Sequence, residues 1–222
     1  MEIDLRGASV TICMPVYGSI PPWTVASLVS TVSHCAANGI RCEFVMEQAI
    51  VQIGRDALLD DFLNGDTDKL FWIDSDMTWR PGDFLRLLAL STQRDVVCAA
   101  YPRKIEGATQ FSIDMDLGTV EPDELGLIPI RGAGLGFTVL SRDVCAQVAA
   151  TKPIVTDGLN GRAMREVFRV DTIEGRRRTE DMAFFADIRE LGHTVWLDPM
   201  TTPGHVGMRE WTGAVMDAFQ RT

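Results

Sequence analysis

The run Leu70-Phe71-Trp72-Ile73 is wholly apolar and ends in Asp74-Ser75-Asp76, two acids separated by one small residue. In extended backbone, residues two apart point to the same side, so both carboxylates would face one small space. Two like charges so close either share a proton or take a cation between them. Hard divalent cations, magnesium or manganese, prefer oxygen ligands and commonly bridge phosphate oxygens too. An isolated D-x-D is often no more than a solvated turn. Here it closes a very apolar strand, which places it at a sheet edge.

Two further groups could join it. Arg178-Thr179-Glu180-Asp181 opens a helical pattern. Acids at a helix start are stabilised by the helix dipole, and Thr179 suits the N-cap, which frees one acid to act as a base toward a hydroxyl. His205 stands in Pro203-Gly204-His205-Val206-Gly207, where glycine admits close backbone approach. Imidazole is a common metal ligand. His34, inside a helical pattern, and His193, in a turn before a strand, read as structural.

These residues need elements to hold them. Residues 9–14, 42–46, 70–73 and 95–99 read as strands. Between them, 22–38, 53–63 and 81–90 read as helices, ended by Asn38-Gly39 and Asn64-Gly65 or begun by Pro81. That alternation predicts an α/β fold with a mainly parallel sheet, and ligands of such sheets sit beyond the carboxyl ends of the strands. The loops after Met14, Met46, Ile73 and Ala99 therefore border the expected site. The second half is less regular. Small antiparallel strands are expected in 111–130, a strand over 136–140, a helix over 142–150, a loop over 151–163 and a strand over 166–173. A helix over 179–191, a strand over 194–197 and a terminal helix over 210–219 complete the pattern. Glycines 158, 161 and 175 punctuate a charged segment, 157–175, that suits a lid. No composition shift separates the halves, so 1–222 is expected to form one domain, 1–104 binding nucleotide and 105–222 completing the site.

The chain has 222 residues, 46% of them hydrophobic, with a formal net charge of −10. That length can bury a substantial core. There is no apolar run long enough to span a bilayer, and the acidic opening Met1-Glu2-Ile3-Asp4 does not suit a signal peptide. Five scattered cysteines without a C-x-x-C pair suit reduced thiols in a cytoplasmic protein. A net charge of −10 opposes general nucleic-acid affinity without forbidding a local basic patch.

The ordered set Met14-Pro15-Val16-Tyr17-Gly18, Phe71 to Asp76, Arg131-Gly132-Ala133-Gly134-Leu135-Gly136, Thr179-Glu180-Asp181 and Gly204-His205 resembles the GT-A-fold glycosyltransferases. It is similar to the family 2 type and to small phage-encoded members. The resemblance implies a Rossmann-like, mainly parallel sheet with helices on both faces and a small antiparallel addition. It implies a UDP- or GDP-sugar donor and a Mn2+ or Mg2+ cofactor. Pro15, Val16 and Tyr17 would border base and ribose; Glu47 would face them, and Arg55 would approach from the next helix. Asp74 would contact ribose or metal, beside Ser75, with Asp76 a direct metal ligand and His205 completing the site. Asp181 would be the base of an inverting displacement, Glu180 the second candidate. Gly132 to Gly136 would floor the sugar site.

Two basic stretches, Tyr101-Pro102-Arg103-Lys104 and Gly175-Arg176-Arg177-Arg178, flank this set. They suit solvated turns, contacts to the donor diphosphate, or phosphates of a nucleic-acid acceptor. Hydroxymethylated bases in DNA are one candidate acceptor. Trp79, directly after the D-x-D, is the best candidate for stacking on a sugar or base. The competing readings are a sugar-phosphate nucleotidyltransferase, disfavoured because Pro-Val-Tyr-Gly stands where a Gly-rich basic loop is needed, and a non-catalytic nucleotide-sugar-binding module.

Overall fold

The computed structural model describes residues 3–106, 109–115, 121–158, 160–207 and 210–216. The first half runs β1 (Ser9–Val16), α1 (Pro22–Ala37), β2 (Arg41–Gln48), α2 (Val51–Asn64), β3 (Lys69–Ile73), β4 (Met77–Thr78), α3 (Pro81–Leu90) and β5 (Val96–Cys98). The second runs β6 (Ile113–Asp114), β7 (Ile128–Ile130), β8 (Gly132–Ala133), β9 (Phe137–Ser141), α4 (Arg142–Ala150), β10 (Ile154–Thr156) and β11 (Ala163–Arg165). It continues with β12 (Asp171–Ile173), β13 (Arg176–Arg178), α5 (Glu180–Glu190), β14 (Val195–Leu197), β15 (Gly204–Val206) and β16 (Glu210–Trp211).

The main sheet has the order β2-β1-β3-β9-β5-β14-β7. Five strands run in one direction, and β9 and β7 run against them. All of β1 is buried, as a strand covered on both faces must be. Helices α2, α4 and α5 bury Leu58, Phe62, Val144, Val148, Phe184 and Phe185 against Cys13, Leu70, Trp72 and Leu140 on one face. Helices α1 and α3 bury Cys35, Phe84, Leu87 and Leu88 against Val10, Ile12, Phe71 and Ile73 on the other. No described helix is long and apolar enough to cross a membrane.

From β1 the chain moves outward to β2 and returns to the opposite side as β3. The carboxyl ends of β1 and β3 thus flank a topological switch point, where open α/β sheets leave a crevice. The next expected strand does not neighbour β3: β9 inserts between β3 and β5, pairing antiparallel with both.

Three expectations for the second half fail for local reasons. The loop over 151–163 contains β10, which pairs with β11 as a hairpin. The strand over 166–173 is reduced to its end. The Asp56 carboxylate accepts the Val167 and Phe168 N–H groups at 2.8 and 2.9 Å, replacing a strand ladder, while Phe168 meets Trp72 edge-on at 5.5 Å between centroids. The terminal helix over 210–219 starts instead as strand β16, paired with β15. Gly213 weakens helix there and sits tightly against Thr109. Residues 217–219 lie outside the described residues.

Candidate functional site

Arg55 is the centre of the site. It lies on the second turn of α2, behind the carboxyl end of β1, and is 2% exposed. Its guanidinium bonds Asp74 Oδ1 at 2.9 Å, Glu180 Oε1 at 3.3 Å, and Asp181 more closely still. A single buried cation thereby joins the D-x-D turn to the start of α5. Burial opposes its charge, but Asp181, Asp74 and Glu180 together raise its pKa above the ordinary arginine value. Asp181 also accepts the Leu135 N–H at 3.3 Å. Burial raises the Asp181 pKa to about 6, with Arg55 pulling it down and Asp74 and Glu180 pushing it up. Thr179 occupies the N-cap position without a side-chain cap bond, so the acids of this turn serve Arg55 more than the helix.

The far oxygen of Asp74 faces Tyr101. The Tyr101 hydroxyl lies 3.5 Å from Asp74 Oδ2 and accepts the Gly136 N–H at 3.0 Å. The Asp74 N–H in turn donates to the Gly136 carbonyl at 3.1 Å. This closeness explains two glycines. A Cβ on Gly136 would stand 2.3 Å from Asp74 Oδ2, and one on Gly134 2.4 Å from the Tyr101 hydroxyl. Burial, with Asp74 and Asp181 nearby, pushes the Tyr101 phenol well above its usual pKa and keeps it a hydrogen-bonding neutral group.

Asp76 turns away from this cluster. Its carboxylate pairs closely with Lys104 and lies 3.4 Å from His205 Nε2. The backbone locks the pair: β15 pairs with β4 beside the turn, and the Val206 N–H donates to the Asp76 carbonyl at 2.7 Å. Burial raises the Asp76 pKa, but hydrogen bonds from His205 and Lys104 outweigh it and the net shift is downward. His205 Nδ1 stands 2.9 Å from the Pro102 carbonyl, which can only accept, so Nδ1 carries a proton. In the neutral ring, Nε2 then presents a lone pair to a carboxylate. Two acceptors facing each other require a second proton or a cation between them.

Among the described residues, no three of His, Cys, Asp and Glu converge on one metal position. Asp76 and His205 form a two-donor set, oxygen and imidazole, that could hold a divalent cation if substrate or water supplied the remaining ligands. The Asp74 carboxylate belongs to Arg55 and Tyr101 rather than to this pair.

A cavity of about 220 Å³ opens between the two clusters, lined by Pro15, Val16, Tyr17, Arg55, Asp74, Ser75, Asp76, Glu180, Asp181 and His205, with Ala49 and Val51. Of the candidate site residues, Glu47, Gly132 and Arg178 lie outside it. Glu47 is in register with Pro15 on the neighbouring strand. Gly132 packs under Met182 and Phe185 of α5. Arg178 bonds Asp171 across the β12–β13 hairpin at 2.6 Å and lines a second, larger cavity. Tyr17 is 82% exposed at the rim. Trp79 does not stack on any ligand surface: it is buried, and its Nε1 donates to Thr31 Oγ1 at 2.8 Å. Sequence reasoning placed Tyr101 and Lys104 at the functional edge but not as partners of Asp74 and Asp76. The alternating glycines 132, 134 and 136 were the available sign of a close approach.

No protein-family model and no curated protein matches the sequence. Solved structures do. A crystal structure of GalNAc-T7 with UDP, GalNAc and Mn2+ aligns with a TM-score of 0.57 at 8% identity, covering 90% of this chain and 44% of that one. A glycosyltransferase involved in the glycosylation of the major capsid of PBCV-1 aligns with a TM-score of 0.36 at 10% identity, covering 62% of each chain. The fold is the GT-A fold, a mixed α/β architecture about a mainly parallel sheet. The chain spans less than half the length of the GalNAc-T7 chain it matches.

Proposed function

We propose that this chain is a glycosyltransferase that moves a sugar from a nucleoside diphosphate sugar, UDP- or GDP-linked, to a hydroxyl acceptor. The observation that carries the reading is one cavity at the carboxyl ends of β1 and β3, with Asp76 and His205 on one side and Asp181 on the other. The GT-A fold and a neighbour solved with UDP and Mn2+ support it.

Pro15, Val16 and Tyr17 border the nucleotide, and Asp76 with His205 would hold Mn2+ or Mg2+. The cation, when bound, offsets the negative charge that collects on the departing diphosphate. Asp181 is the base of an inverting displacement. The acceptor oxygen bonds to the anomeric carbon, the bond to the diphosphate oxygen breaks, and the hydroxyl proton passes to Asp181 Oδ2. Arg55 fixes the other oxygen, so the base is oriented before the acceptor arrives. A pKa of about 6 leaves Asp181 mostly ionised at neutral pH, yet more basic than a surface carboxylate. Glu180, held by the same guanidinium, is the second candidate for the base.

The test is calorimetry and a transfer assay on the same preparations. Manganese should strengthen UDP or GDP binding, and Asp181→Asn should keep donor binding while transfer falls about 10²- to 10⁴-fold. Equal nucleotide affinity with and without metal would remove the metal role, and full transfer by Asp181→Asn would remove Asp181 as the base.

A further inference from the structure

The second cavity, of about 850 Å³, shares Glu180, Asp181 and His205 with the first and extends away from it beneath the β12–β13 hairpin. Its lining is unlike the rest of the molecule. The chain carries a net charge of −10, yet six arginines, at 103, 131, 176, 177, 178 and 189, border this one space. The acids there are spoken for: Glu180 and Asp181 are bonded to Arg55, and Asp114 bonds Arg131 at 2.6 Å. Arg178 is tied to Asp171. Arg103, Arg176, Arg177 and Arg189 are solvent-exposed around the mouth. The hairpin sets two of them by a two-residue turn, Glu174-Gly175, with φ of 50° and 76°, which closes the Ile173–Arg176 pair. Phe111, Ile113 and Met182 supply an apolar floor.

We propose that this cavity is the acceptor site and that the acceptor is a small molecule bearing a phosphate group. The inference rests on the glycosyl-transfer reading, since Asp181 at the junction would be the group that takes the acceptor's proton. Guanidinium groups suit phosphate because they donate paired hydrogen bonds to its oxygens. The volume suits a ligand of sugar-phosphate or mononucleotide size. An extended polyanion would want a basic surface beyond the cavity, and the strongly acidic chain works against that.

The experiment measures binding of a hexose 6-phosphate and of the free hexose, with the donor site saturated by UDP or GDP and Mn2+. The phosphate ester should bind at least about 10-fold more tightly, and the double variant Arg177→Gln/Arg189→Gln should shrink that preference to about 3-fold or less with unchanged nucleotide affinity. Both side chains are exposed, so folding should survive; Arg103→Gln alone provides a second, milder variant. Equal affinity for the two hexoses, or a preference unchanged in the double variant, would overturn the proposal. A 20-base-pair duplex that displaces the hexose phosphate and binds more tightly would overturn the small acceptor in favour of nucleic acid. Phosphate preference that persists in a protein unable to bind either nucleotide would overturn the donor reading alone.

Discussion

Asp74 and Asp76 leave the same strand two residues apart and each meets a cation, but the two settings are opposite. Asp74 meets Arg55, a 2% exposed guanidinium whose neighbours Glu180 and Asp181 come from another helix. Asp76 meets Lys104, whose side chain is 30% exposed on a loop, and His205. An arginine cannot lose its proton and here cannot leave without stranding three acids. A lysine on a loop can swing away. The first cluster is therefore a fixed joint between β3, α2 and α5. The second, on the proposed function, is the place where a metal ion would take over from the lysine. Carboxylates two positions apart thus divide into one held by a buried guanidinium and one facing a lysine and a histidine.

Arg55→Met strikes the fixed joint directly. Removing the one cation leaves Asp74, Glu180 and Asp181 facing each other in a largely buried space, and the loss of one partner from such a cluster costs about 3–5 kcal/mol. Chemical denaturation should show that loss, and transfer should vanish with it. If the midpoint hardly moves, the cluster is no joint. Arg55→Lys should recover only part, because an ammonium cannot reproduce the fork that reaches three carboxylates.

Asp181 gives the next effect, and its sign differs between activity and stability. Its folded pKa of about 6 lies above the unfolded value of about 3.9. Between those values the native state holds more proton than the unfolded chain. The residue's contribution to stability is therefore greatest below pH 4 and declines as pH rises through 6. If Asp181 is the base proposed above, activity runs the other way, since a base must be ionised. The pH profile of kcat/KM should fall about 10-fold per unit below pH 6, and a limb placed near 4 would assign the base elsewhere. In Asp181→Asn the stability trend across pH 4–6 should flatten.

Asp76→Ala tests the exchangeable cluster. The manganese-linked part of UDP or GDP affinity, about 10-fold or more, should disappear. Stability should change by only about 0–1 kcal/mol, because the Asp76–Lys104 pair is partly exposed. A large loss of stability with metal-linked binding intact would reverse the assignments of Asp74 and Asp76.

The two clusters also differ in how far the sequence revealed them. The β-rich run 9–14 and the apolar run 70–73 announce buried strands, and the chemistry at their ends follows from where such strands stop. Asp74 and Asp76 could be named because an acid after an apolar run is costly to place anywhere but a sheet mouth, and Asp181 because it opens a helical pattern behind a threonine suited to the N-cap. What stayed hidden was long-range. Arg55 sits in a helical pattern with nothing local to say that it reaches residues 74, 180 and 181. The insertion of β9 between β3 and β5 has no local mark either, since residues 137–141 read as any buried strand. Residues 166–170 have a strand-like pattern yet form none, because Asp56, more than 100 positions away, supplies the hydrogen bonds a neighbouring strand would have given. The hairpins after α4 are too short for periodicity to register.

Lys104 should give the smallest effect and the cleanest discrimination. If its ammonium occupies the place of a metal's charge, Lys104→Ala removes a competitor, and Mn2+ affinity in the absence of nucleotide should rise about 3-fold, the worth of a half-exposed ion pair. The gain should shrink at high salt, where such a pair is already screened. Nucleotide affinity at saturating Mn2+ should stay level if Lys104 does no more than compete with the cation for Asp76. It should drop if the lysine swings onto the diphosphate once the metal arrives. A rise in metal affinity with level nucleotide binding would make Asp76 a site that trades one cation for another. Unchanged metal affinity would leave Lys104 a bystander and make His205 the only basic group that Asp76 requires.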